Sequence, residues 1–365
     1  MLQKNGAISK AKRDSGIELF RIITMLVIVA HHYVVNSGVY EGILKSGSLA
    51  ANHIFLLLFG WGGKTGINCF VLITGYFMCK SNITLKKFLK LLLWIYFYKI
   101  ILSVIFAITG YHDYSITELI KIVLPVTSVE KGFGSAYIIF YLFIPFLNIL
   151  IRGMNRKQHL LLMILCVVVY TGIATLYFIN VVFNYVTWFS VLYIIGSYLR
   201  LYPEKWFDGK KAWGWLTLAM LLLSWMSVIG IAYITLRFKG KIAMAYFFVN
   251  DSNMPLALAT GICSFMFFKN LNIGYHKAIN VIAASAFGVL LIHANSDVMR
   301  QWLWKDTLNN VGYMETQWVY IHAFGSVIGI YVICTAIDLL RFNFFEKPFF
   351  NWYDKRFSNK KVTDI

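Results

Sequence analysis

Along the chain, long apolar runs alternate with short polar segments, and within each run the apolar residues are continuous rather than placed at every second position. A membrane-spanning helix needs about 20 mostly apolar residues, and that template fits about ten segments. They are 16–37, 60–79, 88–109, 135–151, 159–178, 183–200, 212–236, 254–269, 278–296 and 316–341. The shorter apolar piece from His53 to Phe59 predicts a helix along the outer interface. A membrane β-barrel requires alternating apolar and polar positions, so the pattern predicts an all-α integral membrane bundle of about ten helices. No linker or strong internal repeat interrupts it. One membrane domain, 16–341, is expected between a cytoplasmic N-terminal segment, 1–15, and a cytoplasmic C-terminal tail, 342–365.

Composition narrows the class. With 59% hydrophobic and 14% charged residues and a mean hydropathy of +0.66, the 365-residue chain is too apolar for a water-soluble or disordered protein. Its five cysteines, Cys69, Cys79, Cys166, Cys263 and Cys334, all fall in apolar runs, which predicts buried thiols rather than a disulfide framework. The net charge of +18 does not indicate nucleic acid binding, because the basic residues lie between apolar runs instead of along one soluble face.

Lys and Arg concentrate in cytoplasmic loops of membrane proteins. Most of the 34 here fall on one side when the N-terminus is placed inside: Lys4, Lys10, Lys12 and Arg13; Lys80, Lys86, Lys87 and Lys90; Arg152, Arg156 and Lys157; Arg200, Lys205, Lys210 and Lys211; Lys269 and Lys277; and the tail, including Lys360 and Lys361. The outer loops hold fewer, among them Lys45, Lys121, Lys131 and Arg300. Both termini are therefore expected in the cytoplasm. The first run follows a basic segment as a secretory signal does, but it is too long and lacks a small-residue cleavage site, so it reads as a retained helix.

Titratable groups are costly inside a membrane and are functional candidates there. The first run, SGIELFRIITMLVIVAHHYVVNSG, holds Glu18, Arg21, His31 and His32. At about 100° per residue, Arg21 and His32 share a face about 16 Å apart, and Glu18 lies one turn before Arg21. Either Glu18 and Arg21 form an interfacial ion pair and the histidines bond neighbouring helices, or a histidine accepts a proton from a substrate hydroxyl. In WGGKTGINCFVLITGYFMCK, glycines including Gly63 surround Lys64. They suit either an oxyanion or acceptor site or close helix packing, and Thr74, Gly75 and Tyr76 allow the same choice.

Lys87 and Lys90 are one turn apart at an inner helix start, where they suit an anionic cofactor's phosphates, topology or lipid contact. His293 and Asp297 are four apart and share a face if their helix continues, an arrangement suited to an acceptor-sugar site with Trp302 and Trp304 nearby. No metal-ligand spacing and no phosphate-loop or dinucleotide glycine pattern occurs in a suitable context, so no metal site is expected.

The R-x10-H spacing of Arg21 and His32, GGKTGINCFVLITGYF, KKFLK, WFSVLYIIGSYLRLYP and INVIAASAFGVLLIH occur in this order. Together they resemble the bacterial acyltransferase family 3 membrane proteins, especially members encoded with capsule or exopolysaccharide biosynthesis. The resemblance implies a ten-helix O-acyltransferase of the bacterial cytoplasmic membrane, moving acetyl or a similar small acyl group from acetyl-CoA to a carbohydrate hydroxyl. The acceptor would be a polysaccharide or a lipid-linked repeat unit, with membrane lipid around the enzyme and a homo-oligomer or biosynthetic complex as possible assembly.

By the same resemblance, His32 is the essential histidine, Arg21 its motif partner, and Thr74, Gly75 and Tyr76 the small-hydroxyl, glycine, aromatic motif. Relatives often carry two arginines where Lys87 and Lys90 stand, and lysine keeps the charge without the bidentate fork. Relatives also often carry a further fused domain, whose role here is expected of a separate protein. The competing class is a transporter or flippase of a lipid-linked sugar, with the histidines and Arg21 as a proton or substrate pathway.

Overall fold

The structure is a computed structural model and describes residues 14–124, 126, 132–176, 178–179 and 181–357. Lys4, Lys10, Lys12, Arg13, Lys131, Lys360 and Lys361, and with them most of the expected 1–15 segment, lie outside these residues. Every regular element described is helical: α1 Ser15–Val35, α2 Val39–Ser46, α3 Ala51–Phe59, α4 Gly63–Met78, α5 Leu85–Ile108, α6 Ile116–Val123, α7 Phe133–Gly153, α8 Arg156–Val167, α9 Tyr185–Leu201, α10 Lys210–Lys239, α11 Pro255–Lys269, α12 Lys277–Ala284, α13 Ala286–His293, α14 Asp297–Arg300, α15 Asn310–Tyr313, α16 Val319–Arg341 and α17 Lys347–Phe357.

Each of the ten apolar segments carries helix. Among the described residues, seven helices are long and apolar enough to cross a membrane, and an eighth is gained if the bent pair 277–293 and 297–313 counts as one span. Of the remaining expected segments, α9 has 17 residues and α11 has 15, short for a spanning helix. The His53–Phe59 piece lies within α3, which joins α4 through Gly60–Gly62 to make one 28-residue apolar stretch.

Large apolar side chains face outward, including Ile105 and Ile108 on α5, Phe146 and Ile149 on α7, and Ile328 and Val332 on α16. Charged residues such as Glu18, Asp338 and Arg341 are buried. That inversion of soluble-protein order, together with the apolar helices, marks a multi-pass membrane protein. Among the described residues the five cysteines are free thiols, with Cys166 and Cys263 only half-buried.

The helix α1 occupies the middle of the bundle and packs against α3, α4, α11, α12, α13 and α16. Its start is fixed by Asp14, whose carboxylate accepts the N–H groups of Gly16 and Ile17. Its outer half is clamped to α4 because α4 begins with glycines. A Cβ at Gly62 would come within 2.2 Å of Val27, one at Gly63 within 2.2 Å of the His31 ring, and one at Gly66 within 2.5 Å of Ile28. The glycine cluster thus serves close packing, and in doing so it holds the His31 imidazole over the first turn of α4.

Candidate active site

His32 and His293 form a chain whose proton positions follow from its last acceptor, with His31 anchored beside them. His293 Nδ1 lies 2.6 Å from the Val289 carbonyl oxygen, which only accepts, so Nδ1 carries the proton. In the neutral imidazole, Nε2 is then an acceptor, and His32 Nδ1 donates to it across 2.9 Å. Neutral His32 is left with a bare lone pair on Nε2. His31 is fixed in the same way, donating from Nδ1 to the Gly60 carbonyl at 2.6 Å. Each ring is therefore locked in one tautomer by a backbone carbonyl, directly or through a second ring, the arrangement that orients a general base or nucleophile.

The chain exists because the helix carrying His293 ends there. Residues 294–296 break it, Ser296 caps the next turn by accepting the Met299 N–H, and the path bends by 93°. His293 is fully buried and packs edge-on against Trp304. The condition for His293 and Asp297 sharing a face, a continuing helix, is not met. The Asp297 side chain is 95% exposed and bonds Arg300 at 2.8 Å. Arg300 and Lys64 both lie within electrostatic reach of His32.

Lys64 follows Gly63 on α4 but is already engaged. Its Nζ donates to the Tyr185 hydroxyl at 2.6 Å and sits 3.6 Å from Asp251. Lower on α1, Arg21 lies 3.5 Å from Glu18, the ion pair expected one turn apart. Arg21 also lies within electrostatic reach of Tyr137. Thr74 gives its only proton to the Phe70 carbonyl, so the Tyr137 hydroxyl, 3.0 Å away, donates to Thr74. Gly75 meets the Tyr193 backbone of α9, where a Cβ would come within 2.9 Å. Tyr76 accepts from Arg200 at 2.9 Å, with the guanidinium over its ring. The three motif residues thus face three different neighbours.

At the inner end, Lys87 donates to Ser81 and to the Asn82 carbonyl, and Lys90 pairs with Glu346 at 2.6 Å. Glu346 belongs to a buried network absent from the sequence reading. Arg341 bonds both Asp338, at 2.8 Å, and Glu346, at 2.5 Å, and stacks over Trp94. Asp338 also accepts from the Trp94 indole and the Tyr98 hydroxyl. A further missed residue is His322, whose Nδ1 meets the Tyr33 hydroxyl at 2.7 Å.

The fold and this site define a multi-pass membrane protein with a histidine pair, His32 and His293, hydrogen-bonded inside its helix bundle. A family model described as an acyltransferase domain matches residues 14–337, nearly the whole described chain. The chain belongs to acyltransferase family 3 and is a membrane acyltransferase. No curated protein and no solved structure matches it.

Proposed function

We propose that the protein transfers acetyl, or a similarly small acyl group, from acetyl-CoA to a hydroxyl of a surface polysaccharide or its lipid-linked repeat unit. The observation that carries this reading is the lone pair on His32 Nε2, held in place by His293 and Val289. The acceptor hydroxyl gives its proton to Nε2 as its oxygen attacks the thioester carbonyl. The CoA thiolate leaves and takes up that proton, so the site is restored. Alternatively, Nε2 itself takes the acyl group and passes it on; both routes use the same atom.

The donor enters from the cytoplasm. About 16 Å of helix separates Arg21 from His32, a span comparable with an extended pantetheine arm. Lys87 and Lys90 offer positive charge at the inner end, and phosphates would have to displace Asn82 and Glu346 from them. The membrane is the bacterial cytoplasmic membrane, crossed ten times with both ends inside; labelling of cysteines introduced at Lys45 and Lys210 from opposite sides tests that topology.

The decisive experiment follows labelled acetyl from acetyl-CoA into surface polysaccharide, using membranes with matched amounts of wild-type protein or His32→Ala. Label with wild type alone supports the proposal. Equal label with both removes His32 from the chemistry, and none with either, despite correct insertion, removes the acetyl-transfer reading.

A further inference from the structure

At the first turn of α4, a cavity of about 420 Å³ opens between α4, the segment before α9 and the segment before α11. Lys64, Asp251, Asn250 and Asn253 line it together with Phe183 and Met254. Part of its wall is tied in place. Asn68, fully buried on α4, donates to the Ser252 carbonyl and accepts from the Trp188 indole, tying α4 to α9 and to the segment before α11.

Its two charged groups are left with spare capacity. The Lys64 and Asp251 side chains are 25% and 26% exposed, so their ion pair is open to the cavity. Asn253 is only 2% exposed, and its amide, donating to the Tyr170 carbonyl, fastens the wall.

We propose that this cavity seats the ring of the acceptor sugar. The inference deepens the acyltransferase reading and rests on it. The cavity offers a carboxylate in Asp251, an ammonium in Lys64, a side-chain amide in Asn250 and an aromatic ring in Phe183. These are complementary to the hydroxyls and the apolar face of a pyranose. Because Lys64 and Asp251 neutralise each other, the site gives a uronate or phosphate no net attraction to offset its desolvation, and so favours an uncharged sugar. Lys64 is thereby a binding residue for the acceptor rather than the stabiliser of the oxyanion. It follows Gly63, over which the His31 ring lies, so the cavity and His31 share the first turn of α4.

The test pairs a kinetic and a binding measurement, with neutral oligosaccharides cut from the cell's own de-acetylated surface polysaccharide as the probe. Asp251→Asn keeps shape and the Ser252 contact, and should raise the KM for oligosaccharide about tenfold, the scale of one hydrogen bond to a charged group, without raising that for acetyl-CoA. In full-length protein carrying Ala174→Cys, which places a thiol in the cavity wall, oligosaccharide should slow maleimide labelling and a polyuronate should not. Protection together with the selective KM change supports the proposal. Protection without any transfer by the parent protein leaves the sugar site standing and removes the enzyme reading. Transfer without protection, or a change in both KM values, overturns the sugar site.

Discussion

The polar groups at the two ends of the bundle are organised in opposite ways. At one end, His293 and His32 form an open chain that begins at the Val289 carbonyl and finishes on an unshared lone pair. At the other, Asp338, Arg341, Glu346 and Lys90 close on one another, with Trp94 and Tyr98 completing the ring of partners. A closed set of charges holds helices together, as buried pairs do when each partner is matched. An open chain leaves one atom chemically available while everything behind it is immobile. The contrast separates fastening from chemistry more sharply than residue type does, since both ends carry titratable side chains.

The largest test of that contrast is at the free end. His32→Ala should lower transfer by about a thousandfold, the middle of the range for loss of a general base, with insertion unchanged. Next comes the residue behind it. His293→Leu should cost about a hundredfold in kcat with little change in either KM, because His32 remains but loses the group that fixes its tautomer; a rate within twofold of wild type would break the chain argument.

Smaller still is the packing beneath His31. Gly63→Ala should lower kcat about tenfold or destabilise by about 1–3 kcal/mol, since a Cβ there displaces the ring, whereas Gly134→Ala, whose Cβ meets nothing within 4 Å, should change neither rate nor melting temperature. The smallest effect belongs to the closed end. Lys90→Met should lower stability by at most about 1 kcal/mol, because Lys90 is half-exposed and its partner keeps Arg341. A rise in the KM for acetyl-CoA in that variant would show that Lys90 also serves the donor.

Much of this was legible in the sequence, for physical reasons that also explain the rest. Continuous apolar runs imposed helix on all ten expected segments, and polar residues inside the first run pointed to α1. The span count was not legible from hydropathy alone, since α9 and α11 are apolar but short. His293 was identified, but beside the wrong neighbour. The Asn295–Ser296–Asp297 run is a helix-start signal, and reading it would have ended the helix at His293 and detached Asp297. The Asp338 and Arg341 pair, three apart in an apolar helix, carried the same signal as Glu18 and Arg21 and was available to the same argument. Lys64 could not be placed, because its partners Tyr185 and Asp251 are distant in sequence.

The Val289 carbonyl has a consequence for energetics as well as geometry. Because that oxygen cannot be protonated in turn, the row of imidazoles is a dead end for protons. Whatever His32 takes up must return through the same face. On the mechanism proposed above, acyl transfer is electroneutral across the bilayer and draws nothing from the proton-motive force, so an uncoupler that collapses the gradient should leave the rate in sealed vesicles unchanged as long as donor and acceptor are supplied.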